Sequence, residues 1–250
     1  MSRAFAWVTS KLPQGWGDAG RQIGILVGVD IGYELVRGIA DGQRSEAIAH
    51  GQQVIDLERS THTLFEPSLQ AFFLPAHWVI DVANQMYLNA QFSIALGFLV
   101  WLYLFRNESY YFVRNMFVVS MGLALVGYSL FPTAPPRMFP EFGFVDTLAG
   151  FGINHNSAIV RADANPYAAM PSLHAADALI IGVALAFLVR SPWFKALWLA
   201  WPVWVWFSVI ATGNHFWLDI LAGIVVALVA AAIVNHKYLR RIISPAPAPA

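Results

Sequence analysis

Six apolar stretches decide what this chain can fold into, because each is close to the ~20 residues that a helix needs to cross a hydrocarbon core. They lie at about 22–40, 78–105, 110–131, 172–189, 194–211 and 215–235, with breakers such as Asp41-Gly42, Arg106-Asn107-Glu108 and Pro132 between them. Inside a bilayer every backbone N–H and C=O must be paired within the protein, which leaves helices as the expected spanning elements. The expectation is an all-α polytopic membrane protein with six transmembrane helices. Composition agrees: 58% of residues are hydrophobic and 12% charged, and mean hydropathy is +0.55. An average soluble domain is about 25% charged.

Residues 41–76 read differently. Ala47, Ile48, Val54, Ile55 and Leu57 alternate with Glu46, Gln52, Asp56 and Glu58 at helical spacing, and a more apolar piece runs from Pro67 to Leu74. The pattern predicts one or two short interfacial helices lying on the membrane before the second span. Residues 1–21 mix Arg3, Lys11 and Arg21 with Trp7 and Trp16, an interfacial lead-in. They lack the apolar core and cleavage site of a secretory signal, so insertion is expected to rely on the spans. Residues 1–243 read as one membrane-embedded domain and 244–250 as a disordered Pro/Ala tail. A formal net charge of zero removes the case for nucleic acid. The absence of cysteine removes disulfides and thiolate metal sites. No feature of the sequence sets an oligomeric state.

The count of lysines and arginines orients the spans. With both termini cytoplasmic, that side receives Arg3, Lys11, Arg21, Arg106, Arg114, Arg190, Lys195, Lys237, Arg240 and Arg241. The far side keeps Arg37, Arg44, Arg59, Arg137 and Arg161, which satisfies the positive-inside rule. The long polar loop 132–171 and the junction 212–215 then share the non-cytoplasmic face. Loops of this length are functional or disordered, and Phe139, Phe142, Phe144, Phe151 and Tyr167, with Phe131 before them, argue for order.

Two histidines stand where that face meets apolar helix. His174 opens the fourth span and His215 the sixth, and these spans run in the same direction. Arg137 follows the third span to the same surface. Helix N-termini attract phosphate and disfavour protonated imidazole, so a neutral, nucleophilic histidine suits them. Asp219, four residues after His215, is expected to hold one imidazole nitrogen and leave the other free to attack. His174 is then available to protonate a departing oxygen, and Arg137 to clamp two phosphate oxygens.

Pro171-Ser172-Leu173-His174 and His215-Phe216-Trp217-Leu218-Asp219 resemble the second and third signature motifs of the phosphatidic acid phosphatase type 2 superfamily. Thr133-Ala134-Pro135-Pro136-Arg137 resembles a reduced first motif. Within the family the chain is most similar to the branch of inositol phosphorylceramide synthase and its bacterial relatives, which favours Pro-Ser-Leu-His over Pro-Ser-Gly-His. The resemblance covers about residues 78–235. It implies that His215 forms a phosphohistidine with Asp219 as its partner. It also implies that His174 is the acid, that Arg137 binds phosphate, and that no metal or other cofactor is needed. Two positions depart from the family: an expected lysine is Leu130 and an expected arginine is Val209. With fewer cations, the phosphate would lean on backbone N–H groups, Asn214, Ser172 or Arg161.

The expected activity is transfer from a lipid phosphate, entering from the bilayer, to an acceptor alcohol of inositol or sugar type or to water. Other roles are open to these and neighbouring residues. Ser172 as a nucleophile competes with Ser172 as a helix cap. Asp177 either orients His174 or caps. His155, Asp163, Asn165 and Tyr167 are head-group contacts or solvated loop positions, and His77 and Trp78 belong to an interface belt. Zinc on His174, His215 and Asp219 would lack a clear base and leave Arg137 unexplained. A transporter or partner subunit using Asp30 and Glu34 as a proton path, with Arg37 the alternative partner of Glu34, is the reading from another class. Gly122, Gly127, Gly182 and Ala186 are expected at close helix contacts.

Overall fold

The computed structural model describes residues 12–40, 43–149 and 167–243, with side chains for all of these except 34–40 and 236–243. Its helices are α1 (Gly15–Ala40), α2 (Arg44–Ser60), α3 (Glu66–Phe73), α4 (His77–Gln85), α5 (Gln91–Phe105), α6 (Asn107–Leu130), α7 (Leu173–Leu188), α8 (Pro192–Ala211) and α9 (Trp217–Ile243). A five-residue π-helical turn, Met86–Ala90, joins α4 to α5. Among the described residues β pairing is limited to a single bridge between Thr133 and Ala168. Glu34, Arg37, His155, Arg161, Asp163, Asn165 and the 244–250 tail lie outside the described side chains.

Four stretches are long and apolar enough to cross a membrane: His77–Phe105, Asn107–Leu130, Pro192–Ala211 and Trp217–Asn235. The chain is an integral membrane protein. Of the other two predicted spans, α7 is apolar but shorter, at 16 residues. It starts only after the cap Ser172 and stops where Val189 turns extended. Exposed apolar side chains line the outside of the helices: Ile23, Val27 and Ile31 on α1, which is not among the four membrane-length stretches, Phe92, Leu96 and Val100 on α5, and Leu221, Val225 and Leu228 on α9. Their three- and four-residue spacing draws one stripe per helix. Asp30 is exposed on α1.

Helix α7 is the centre of the bundle, packed on α5, α6, α8 and α9. Close approach requires small residues there. A Cβ on Gly182 would lie 2.8 Å from Pro202 Cδ of α8, and one on Gly127 of α6 would run into Pro171. Gly122 differs from the expectation, since a Cβ there would meet nothing within 4 Å.

Helices α2 and α3 are the two predicted short helices. They do not simply lie polar side outward, however. The buried side of α2 is Ala47, Gly51, Val54, Ile55 and Glu58, and α3 buries Glu66 and Gln70. The segment after α6 folds onto α2: Ala134 N–H donates to the Ala47 carbonyl at 3.0 Å. His50 Nδ1 meets the Pro132 carbonyl at 2.8 Å while its ring stacks on Phe131. Phe139, Phe144, Tyr167 and Phe216 then close a small apolar core with Val54 and Ile55. Gln70 stitches this layer to the bundle by donating to the Val145 and Ala211 carbonyls.

Candidate active site

Ser172 is fully buried and caps α7, its hydroxyl accepting the Ala175 N–H at 3.3 Å. That cap sets His174 as the second residue of the helix. The His174 ring stacks on Tyr87 with centroids 4.6 Å apart, and its Nε2 lies 3.3 Å from the Tyr87 carbonyl. The π turn explains why that carbonyl is available. In an ordinary helix the Gln91 N–H would reach back four residues to Tyr87, but here it bonds to Met86. A carbonyl only accepts, so Nε2 of His174 carries a proton and Nδ1 is the nitrogen left over.

His215 stands two residues before the first helical residue of α9, not within the helix as the sequence pattern suggested. The N–H groups of Asn214 and His215 both reach the Val209 carbonyl, closing the turn after α8. Gly213 makes that turn with φ +70°, where a side chain would be strained. The His215 ring is nearly buried, and its Nδ1 lies 3.0 Å from the Ala169 carbonyl and 3.4 Å from Asp219 Oδ2. Both neighbours are acceptors, so Nδ1 bears the proton and Nε2 holds the lone pair. Asp219 contributes in a second way, since its Oδ2 accepts the Phe216 N–H at 2.9 Å. This is half of a capping box, a carboxylate at the third helical position reaching back to the cap.

The two imidazoles are neighbours, with ring centroids 5.7 Å apart and planes tilted by 56°. Tyr87 lies over His174 and edge-on to His215 at 6.5 Å. Arg137 sits in a 3₁₀ turn, Pro136–Met138, and its N–H donates to the Gly213 carbonyl at 2.8 Å. Its guanidinium donates to Asn214 Oδ1, while the Asn214 amide nitrogen donates to Thr212 Oγ1. Thus Arg137 is bonded to the turn that carries His215. Ser172 N–H donates to the Asp219 carbonyl at 3.0 Å, which ties the two histidine segments directly. Tyr167 sits in the apolar core with Phe216, and Asp177 Oδ1 is buried without a partner one turn below His174.

The sequence reading missed Tyr87, the Ala169 carbonyl, and two acids under the start of α9. Glu66 Oε1 accepts the Trp217 N–H at 2.9 Å, and Glu58 is buried beside it. Among the described residues no set of three acids or histidines is arranged to hold a metal ion.

The match to a family model decides the family: the PAP2 superfamily model aligns with residues 52–233. The chain belongs to the PAP2 superfamily. The matched range takes in the second half of α2 and all of α3 as well as the three motifs. Similar proteins include a phosphoinositol dihydroceramide synthase of Bacteroides thetaiotaomicron, 30% identical over 63% of this chain and 56% of that one. An inositol phosphorylceramide synthase of Candida albicans is 28% identical over 39% of this chain and 20% of its own length. An undecaprenyl-diphosphatase of Bacillus subtilis is 26% identical over 47% of this chain and 67% of its own. The chain thus spans about half the length of the first of these relatives and a fifth of the second. No solved structure matches the chain significantly. The two departures from the motifs of this PAP2 superfamily chain have distinct settings: Leu130 is 75% exposed, while Val209 is fully buried beneath the turn it holds.

Proposed function

We propose that this PAP2 superfamily chain moves a phosphoryl or phosphoester group from a lipid phosphate to an acceptor through a phosphohistidine on His215. The observation that carries the reading is the pair of imidazoles 5.7 Å apart, each with one ring nitrogen against a backbone carbonyl, which leaves Nε2 of His215 and Nδ1 of His174 for chemistry. In the first half-reaction His215 Nε2 attacks phosphorus and the bond to the leaving oxygen breaks. Protonated His174 delivers a proton from Nδ1 to that oxygen, and the Arg137 guanidinium offsets phosphate charge. In the second, the acceptor hydroxyl gives its proton to His174, its oxygen attacks phosphorus and the P–N bond breaks. Asn214 serves this scheme by aiming Arg137, and Ser172 by capping α7. Arg161 is retained as a phosphate ligand, whereas the Tyr167 ring is assigned to packing. The scheme uses no metal.

The relatives' names, two synthases of inositol-phosphate-bearing ceramides and one diphosphatase, support an alcohol acceptor first and water second. Mass spectrometry of products from ceramide-phosphoinositol precursors, phosphatidic acid and polyprenyl diphosphate, each with and without free inositol or a second lipid alcohol, tests this. Transfer of an intact head group to the alcohol is expected, release of inorganic phosphate alone would establish the phosphatase, and no turnover of any would refute the function.

The proposed topology has six crossings, both termini cytoplasmic and the site at the far face. It is supported by the shared direction of α7 and α9 and by the lysine and arginine distribution. Because the chain lacks cysteine, single cysteines at Glu141 and Ser191 report sidedness without background. An impermeant maleimide applied to intact cells should label the first and spare the second; the reverse pattern overturns the orientation.

A further inference from the structure

Two acids with no role in the chemistry are the least expected feature of the molecule. Glu58 of α2 is 0% exposed and Glu66 of α3 is 1% exposed. Isolated buried carboxylates are costly, and the ordinary remedy is a cation or a proton. Among the described residues neither acid has a lysine or arginine partner. The charged groups facing Glu58 are Glu66 from α3 and Asp219 from α9, both acidic. Glu58 Oε1 and Oε2 and Glu66 Oε2 are buried with no partner at hydrogen-bond distance, although the Leu218 N–H acts on Glu58, whereas Glu66 Oε1 accepts the Trp217 N–H. A single proton between the two side chains would pair one Glu58 oxygen with Glu66 Oε2.

We infer that Glu58 and Glu66 share one proton and act together as positioning residues for the nucleophile, neutral Glu58 donating to Glu66 while Glu66 holds the first N–H of α9. Trp217 lies two residues after His215 and two before Asp219. Fixing its N–H therefore fixes the register of both against Ala169. Burial, reinforced by the charge of Glu66, pushes Glu58 up to about 9 from an ordinary 4.5, and burial also raises Glu66. The same pair accounts for an acidic buried side on a helix whose sequence pattern called for acids outward.

A raised carboxyl pKa means that the folded chain keeps a proton that the unfolded chain releases. Stability from this group is therefore full below about pH 4.5 and declines as pH rises to about 9. In the intact, detergent-solubilised protein, the wild-type melting temperature should fall relative to Glu58→Gln between these limits, since glutamine donates without titrating. This arm needs no substrate, so it stands apart from the proposed transfer reaction, on which the kinetic arm rests. There, Glu66→Ala should lower kcat by about 10-fold with KM nearly unchanged, the size expected when a reacting group is misplaced by a fraction of an ångström. Glu58→Leu should lower kcat similarly and Glu58→Gln should restore most of it, with the alkaline loss of activity moved to higher pH. The inference is overturned if Glu58→Gln melts with the wild-type pH dependence, if it keeps the wild-type alkaline limb, or if it folds yet is inactive at every pH. That last result would make the Glu58 proton part of the chemistry.

Discussion

His215→Asn should lose at least about 10⁴-fold in kcat on any lipid phosphate that the wild type turns over, the scale seen when a nucleophile is removed from a preorganised site. Asparagine is preferred to alanine as the primary variant because the ring is 4% exposed and alanine would leave a hole. The asparagine amide can still donate to the Ala169 carbonyl, so the melting temperature should stay within a few degrees. The variant is also expected to form no acid-labile phosphoprotein. Asp219→Asn should be milder, at about 100-fold. The reason is geometric: Nδ1 of His215 lies nearer the Ala169 carbonyl, at 3.0 Å, than Asp219 Oδ2, at 3.4 Å. The tautomer is therefore held by a group that this substitution leaves in place, unlike a triad in which loss of the carboxylate alone costs about 10⁴. Equal losses in the two variants would show that the carboxylate, not the carbonyl, governs the imidazole. Retained cleavage of phosphate esters by His215→Asn would remove the enzyme reading and restore the transporter or partner-subunit alternative.

The parts of this site that could be read from the sequence are those carried by residue type and span direction. Histidines at two co-directed helix starts, and an arginine after the preceding helix, are visible as letters and need only a count of crossings to be brought together. What stayed hidden depends on backbone. The Tyr87 carbonyl is presented to His174 because one turn of the helix is π rather than α, and no residue in Met86-Tyr87-Leu88-Asn89-Ala90 announces that. The Ala169 carbonyl is likewise invisible, since every residue has one. Glu58 and Glu66 illustrate a different failure. Amphipathic spacing in 44–60 placed the helix correctly and assigned its acids to water, because periodicity assumes that charge faces out. Here the layer formed by α3 and residues 133–144 covers what would otherwise be a wet face. A sharper reading would have noted Glu66 directly before Pro67, a helix start that brings an acid close to whatever α3 packs on.

Gly223→Ala should be nearly as damaging as loss of a reacting side chain, although Gly223 touches no substrate. It lies on α9 two turns beyond His215, and a Cβ built there collides with the Ser172 carbonyl oxygen. The same Cβ would stand 3.1 Å from Ala175 Cβ and 3.2 Å from the Ser172 carbonyl carbon. Neither obstacle is a flexible side-chain end, so the strain must move backbone. The backbone in question is the cap of α7, which sets His174, and it is pinned to α9 through the Ser172 N–H bond to the Asp219 carbonyl. Parting the helices by even half an ångström opens the 5.7 Å approach of the two imidazoles and stretches the bond to Tyr87. Overpacking of this kind costs about 1–3 kcal/mol of stability, and a misplacement of about 1 Å costs on the order of 100-fold in rate. A drop in kcat of that size, with KM little changed and a melting temperature lower by several degrees, is the expected outcome. The matched control is Gly122→Ala, where the added methyl meets nothing within 4 Å on a membrane-length helix and should be silent in both measurements. Wild-type kinetics in Gly223→Ala would mean that the contact between the two histidine-bearing helices does not set their catalytic spacing.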